Sequence, residues 1–217
     1  PDEEPSHLIG GRYRLISQLV TGGMGVTYRA WDARLKVPVV VKMPKLGGIS
    51  DAALKRRFAR EVEAMLRLAH DHIVPIIAHG DHDGCPYVVM RFLPGGSLGD
   101  LRRRDANGRV QPHEPGVLHN WLPSVASSLD FMHAQGVLHR DVKPGNIFVD
   151  GFWNAFLGDF GIAKVLDDLG GTTKDQTLTD THFAIGTPDY MAPELFLPKA
   201  VPDGRSDQYA LAVTVYE

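Results

Sequence analysis

The stretch GVLHRDVKPGNIFVD, Gly136 to Asp150, places His139, Arg140, Asp141, Lys143 and Asn146 within eight residues, between two apolar runs. Pro144 and Gly145 stop a helix or a sheet ladder from running through it. The segment is therefore a loop, and the apolar runs on both sides tie it into a folded body. A solvated loop needs charge, but not charge in this order. An Asp, a Lys two residues on and an Asn five residues on make a set that can accept a proton, offset negative charge and ligate a cation.

The rest of the chain bounds what such a loop can serve. With 217 residues it is long enough for one large domain or two small lobes. Hydrophobic residues make up 43% and charged residues 23%, the balance of a globular protein, and the net charge of −3 comes without a long basic run, so nothing points to nucleic acid. The single cysteine, Cys85, excludes an internal disulfide framework and suits a reducing, cytoplasmic setting. No apolar run approaches the roughly 20 residues of a membrane helix. The ends, PDEEPS and ALAVTVYE, carry no Met, turn or cap, and read as cut from a longer chain.

Residues 1–10 read as a polar, disordered lead-in. RYRLISQLV and GVTYRAWD flank a glycine cluster and predict a hairpin around it. VPVVVKM predicts a buried strand. SDAALKRRFAREVEAMLRLAH predicts a long helix with Leu54, Phe58, Val62, Met65 and Ala69 on one stripe. Glu61 projects onto that same stripe, and an inward carboxylate needs a cation from another element. IVPIIAHGDHDGCPYVVMRFL predicts two strands around a polar turn, and PGGSLGDL a loop with a short helix. VLHNWLPSVASSLDFMHAQG predicts a second long helix, which Pro123 within it should kink or leave with an unpaired carbonyl, with Leu118, Leu122, Val125, Leu129 and Met132 on one face. IFVD and NAFLGDFG follow as short extended pieces. Strands dominate the first 95 residues and helices and loops the remainder, which suggests two lobes.

Several residues then invite chemistry. Gly22, Gly23 and Gly25 in the hairpin turn would let backbone N–H groups approach a phosphate, although this stretch alone reads more simply as an ordinary glycine turn. Lys42, at the end of a buried strand, can snorkel to water, but it is also the natural cation for Glu61. Asp141 can take a proton from an attacking hydroxyl, and Lys143 can neutralise charge on a transferred phosphoryl group. Asn146 and Asp159 offer hard oxygen ligands suited to Mg²⁺.

In order, TGGMG, VVVK, FAREVEAM, LHRDVKPGN, GDFG, GTPDYMAPE and SDQYALAV resemble the motif set of the protein kinases. Lys143 after Asp141 resembles the Ser/Thr branch, and the glycine loop resembles the bacterial receptor-type kinases. The resemblance implies an α+β, two-lobed kinase fold, with a β-rich N-lobe over about 11–92 and a mainly helical C-lobe over about 96–217 that is cut short. It implies ATP and Mg²⁺. Lys42 would hold the α- and β-phosphates and pair with Glu61, Asp141 would be the catalytic base with Lys143 stabilising charge, and Asn146 and Asp159 would hold the metal. His139 and Phe160 would pack with Met65, and Asp207 would brace the catalytic loop. Met90 would be the gatekeeper, with Arg91, Phe92 and Leu93 as the hinge to adenine. Thr179 and Thr181 would accept phosphate, which Arg140 would meet.

Four positions depart from the family pattern. Val20 stands at the first glycine of the loop, Thr27 where a Val covers adenine, Val40 where a small Ala precedes the Lys, and Phe148 where a Leu lies beneath the base. The resemblance implies protein substrates with Ser or Thr acceptors, and it leaves room for a kinase-domain dimer in autophosphorylation and a membrane anchor beyond Glu217. The rival reading is a pseudokinase, sensing nucleotide or scaffolding without transfer. Glu194 is expected to lack its usual Arg. The last helix reads as apolar nearly all round, and so as one made for a larger core.

Overall fold

The computed structural model describes residues 8–21, 25–43, 59, 62–63, 65–102, 106–107, 111, 114–159, 188–197 and 200–217. The chain divides into two compact units, one of residues 1–69, 75–92 and 162–172, the other of 70–74, 93–161 and 173–217.

The first unit is built on one six-stranded antiparallel sheet in the order β1-β2-β3-β4-β6-β5. The strands are β1 (Leu8–Ile9), β2 (Tyr13–Thr21), β3 (Val26–Asp32), β4 (Val37–Met43), β5 (Ile76–His82) and β6 (Cys85–Arg91). The expected hairpins are present, but the disordered lead-in expected over 1–10 does not hold at its end, where Leu8 and Ile9 pair with β2 and Ile9 is buried in the core. β5 and β6 are joined by Asp83-Gly84, both at positive φ (51° and 81°), with the Asp81 carboxylate accepting the Gly84 N–H at 2.8 Å. An Asp-Gly pair with that backbone matches the right-handed twist of the strands it joins. The core lies on one sheet face, where Ile9, Tyr13, Ala30, Val39, Val41, Tyr87 and Val89 pack together. Tyr87 sets a steric condition on two glycines. A Cβ on Gly10 would sit 2.0 Å from its hydroxyl and one on Gly80 2.6 Å away.

Strand β2 carries two irregularities, between Leu15 and Ser17 and between Gln18 and Val20. Each inserts one residue, and the two cancel in parity. Val20 therefore returns to the face opposite the core, in register with Thr27. In the helical region predicted over 50–70, Ala59, Val62, Glu63, Met65 and Leu66 are helical, with Val62 fully buried and Met65 nearly so. Most of that segment, Glu61 included, lies outside the described residues.

The second unit holds α1 (Leu122–Ala134), the short hairpin β7 (Ile147–Val149) and β8 (Ala155–Leu157), and α2 (Gly204–Tyr216). Two expectations fail here. The single helix kinked at Pro123 is instead a 3-10 turn, Pro115–Asn120, a break at Trp121 and then α1. Pro123 lies in the first turn of α1, where its missing N–H leaves no hydrogen bond unmade and its fixed φ suits the helix. The predicted inner face is otherwise right, with Val125, Leu129 and Met132 buried. The short helix expected in PGGSLGDL is a single turn, closed by Leu101 N–H to the Ser97 carbonyl at 3.2 Å. Asp100 folds back onto the Ser97 N–H (2.9 Å) and hydroxyl (2.7 Å), a reciprocal cap that satisfies the start of a turn.

Helix α1 ends in a Schellman motif. Gly136 takes φ 72°, and the N–H groups of Gly136 and Val137 bond the carbonyls of His133 and Met132 at 2.9 Å each. This turn aims the chain into the polar loop. Helix α2 is capped by Asp203, whose carboxylate accepts the Arg205 N–H at 2.8 Å. It buries Ser206, Asp207, Ala210 and Thr214, while Tyr209 and Tyr216 stay exposed. Its most buried residues are thus small and mostly polar, while the larger apolar Leu211, Val213 and Val215 are half-buried. Among the described residues no helix is long and apolar enough to cross a membrane.

Asp32 closes the β3–β4 turn. Its fully buried carboxylate takes the Arg12 guanidinium through Nε (2.9 Å) and Nη2 (2.6 Å) and the N–H groups of Arg34 (2.9 Å) and Leu35 (3.0 Å). The Arg12 hydrogen bonds hold its pKa below the ordinary 3.8, against the opposing effect of burial. A depressed carboxylate stabilises the fold above its ordinary pKa, and that stability is lost as pH falls through the folded value. Arg12→Gln should therefore lower the thermal midpoint at pH 7, and the gap to the wild type should narrow as pH drops below 3.8. A gap independent of pH in parallel melts would assign the loss to packing.

Candidate active site

Two groups of predicted residues emerge, one in each unit. In the first, sheet register decides which side chains share a face, because residues paired across a ladder point the same way. Val20 pairs Thr27, Thr27 pairs Lys42, and Lys42 pairs Val88. One step along, Arg29 pairs Val40 and Val40 pairs Met90. All of these lie opposite the core face. Lys42 is 8% exposed and Met90 is buried. Gly25 is buried just before β3. Phe92 follows β6, and the buried Leu93 accepts the Gly96 N–H at 3.4 Å. Gly22, Gly23 and Glu61 lie outside the described residues, as do Phe160, Thr179 and Thr181.

In the second unit the loop of residues 139–146 is held at its start by α2. Asp207, 2% exposed on α2, accepts the N–H of His139 (2.8 Å) and of Arg140 (2.7 Å) on its two carboxylate oxygens. Arg140 sits at φ 69°, so these two bonds fix a backbone conformation that a non-glycine residue avoids. His133 reaches the same carboxylate, Nε2 to Oδ2, at 2.9 Å. Gly204 makes room for it, since a Cβ there would meet His133 Nδ1 at 2.8 Å. The role of Asp207 was legible in the sequence. His133 and Gly204 were not, because nothing in their spacing to Asp207 marks them.

His139 is the buried hub. Its Nε2 donates to the Gly158 carbonyl at 2.9 Å, and its Nδ1 accepts the Asp141 N–H at 3.2 Å. These partners demand the neutral Nε2–H tautomer. Burial drives its pKa below 6.5, against the upward pull of Asp207 and the Gly158 hydrogen bond.

The polar side chains then converge on Asp141. Lys143 Nζ lies 2.8 Å from its Oδ2, and Asn146 Nδ2 donates to the same oxygen at 2.9 Å and to the Asp141 carbonyl at 2.7 Å. Asn146 is 6% exposed, and its backbone carbonyl accepts the Gly158 N–H at 2.9 Å. With its amide nitrogen spent on Asp141, its oxygen is left as a hard ligand. Asp159, at φ 61°, follows directly after Gly158. An amide oxygen and a carboxylate are hard donors of the kind Mg²⁺ takes rather than a thiophilic metal. Phe148 is half-buried, and a Cβ on Gly158 would meet its ring at 2.9 Å and Val74 at 2.9 Å. The Gly before Asp159 is thus required by Phe148.

Near α2, Glu194 accepts the Ser206 hydroxyl at 3.1 Å. Glu217 pairs with Arg102 and accepts the Tyr190 hydroxyl, while Arg102 Nη2 donates to Tyr190 Oη at 3.2 Å. The sequence signalled none of these four contacts.

Known proteins are similar to this chain over nearly its whole length. Residues 13–217 match the model of the protein kinase domain. The chain is 36% identical over 209 residues to the serine/threonine-protein kinase PknF of Mycobacterium tuberculosis, covering 94% of this chain and 42% of that protein. It is 39% identical over 207 residues to PknD of the same species, covering 95% of this chain and 29% of that one. It thus spans less than half the length of these relatives. The crystal structure of the Mycobacterium tuberculosis PknI kinase domain superposes with a TM-score of 0.66 at 29% identity, covering 99% of this chain and 76% of that one.

A depressed histidine pKa has a definite sign. Above 6.5 the folded and unfolded chains are both neutral at this residue. Below it the unfolded chain takes up a proton that folded His139 refuses, and stability falls until the lower folded pKa is reached. Imidazole ¹⁵N shifts should therefore show His139 as neutral Nε2–H at pH 6. Titration at or above 6.5 would contradict the hydrogen-bond assignment.

Proposed function

The chain belongs to the protein kinase domain family, and from that premise we propose that it transfers the γ-phosphoryl group of ATP to Ser and Thr hydroxyls of proteins. The observation that carries this reading is the set Asp141, Lys143 and Asn146, joined by bonds of 2.7–2.9 Å in a loop clamped by a buried carboxylate. In it, Asp141 Oδ accepts the proton of the substrate hydroxyl as that oxygen attacks phosphorus, and the bond to the departing ADP oxygen breaks. Lys143, already at the Asp141 carboxylate, offsets charge on the transferred group.

Asn146 and Asp159 would hold Mg²⁺, which when bound neutralises charge on the phosphate oxygens. Thr27, Val40, Met90, Phe92, Leu93 and Phe148 would line the base, with Val20 and the glycines Gly22, Gly23 and Gly25 over the phosphates. Lys42, paired with Glu61, would hold the α- and β-phosphates. Fixed geometry is what this reaction needs, since its catalysis is mostly positioning and electrostatics. Autophosphorylation on Thr179 or Thr181 would add a charge for Arg140 to meet.

Two measurements test this reading in the full-length protein. Asp141→Asn should cut phosphoryl transfer by roughly 10²–10⁴-fold while nucleotide binding persists. Wild-type turnover from that variant would remove the base assignment. Phosphopeptide mapping after incubation with Mg-ATP should place phosphate on Thr179 or Thr181, and phosphate confined to sites outside 172–181 would refute the activation-segment reading.

A further inference from the structure

One charged residue on the sheet face opposite the core has no part in the chemistry above. Arg29, on β3, is in register with Val40, and through it with Met90. A lone Arg on a strand reads as a solvated surface residue, and Arg29 is indeed exposed. Its guanidinium carbon, however, lies 4.8 Å from the centroid of the Phe92 ring. That is within the range at which the ring's negative face attracts a cation.

The position of Phe92 gives the contact its consequence. Phe92 is the first residue past β6, where ladder pairing has ended. The backbone is fixed one residue earlier, by the Arg91 N–H bonded to the Pro75 carbonyl at 3.0 Å. The orientation of the Phe92 ring depends on what stands against it, and a planar guanidinium anchored on a rigid strand fits that part. Arg suits this better than Lys, because its plane stacks on the ring and its stem is more easily held.

We propose that Arg29 is a positioning residue for the nucleotide. It clamps the Phe92 ring and so presents Phe92, the first residue beyond the ladder, already ordered to the base. This rests on the phosphotransfer reading given above, since it assigns a role at the same nucleotide face. Pre-ordering lowers the cost of binding rather than the chemical barrier, so the effect belongs in nucleotide affinity.

The test uses the full-length protein with Mg-ATP as the probe, in steady-state kinetics and direct nucleotide binding. Arg29→Ala should raise KM and Kd for ATP about two- to fivefold, the size of an exposed cation–π contact, with a smaller change in kcat. Arg29→Lys should recover part of the loss, and Arg29→Gln should not. In a Phe92→Leu background, Arg29→Ala should have no further effect. An equal effect with and without the Phe92 ring, or equal affinity for Arg29→Ala and wild type, would overturn the clamp alone. A wild-type protein that binds no Mg-ATP would overturn the phosphotransfer reading and the clamp together.

Discussion

The buried carboxylate of Asp207 is the constraint on which the rest of the site depends. A carboxylate at 2% exposure is costly unless its oxygens are filled, and here two consecutive backbone N–H groups and an imidazole fill them. The cost and the benefit are coupled. The charge is tolerated because the loop supplies the amides, and the loop keeps Arg140 at positive φ because the charge holds it there. With residues 139 and 140 fixed, His139 can bridge Asp141 to Gly158, and Asn146 can close the ring through its own bonds to both. His139, Arg140, Asp141, Asn146 and Gly158, all far in sequence from Asp207, thus share one rigid frame. Such a frame suits a reaction whose catalysis comes from fixed charges and donors rather than from covalent steps of the protein.

The sheet was legible because strand patterns are local. Alternation and turn chemistry place β2 through β6, and the tight Asp83-Gly84 turn also sets the register where β5 meets β6. Lys42, Thr27, Val40 and Met90 were picked from motif positions, and the ladder independently sets all four on one face. The bulges in β2 were invisible in the sequence. Ile16 and Leu19, which look like core residues, are the inserted ones and are about half exposed.

The misreadings have a common cause. Pro123 was assigned to a helix interior because the apolar spacing runs continuously from Leu118 to Met132. The break at Trp121, φ −135°, restarts the helix and turns Pro123 from an obstacle into a starter. Periodicity cannot detect such a restart. The short helix expected in PGGSLGDL stops at one turn, because the Ser97–Asp100 bonds satisfy that turn by themselves. Partners supplied by the tertiary fold, such as His133 for Asp207 and Ser206 for Glu194, leave no spacing signature at all. The most buried residues of α2, small and mostly polar, were hidden for the same reason.

The central claim is that this frame performs phosphoryl transfer and does not merely bind nucleotide. Phosphoamino-acid analysis tests it most directly. The full-length protein is incubated with Mg-ATP labelled at the γ position and a protein acceptor, and the hydrolysed product is separated. The account predicts labelled phosphoserine and phosphothreonine. Tight nucleotide binding with no labelled residue would contradict it and identify the chain as a nucleotide-binding scaffold.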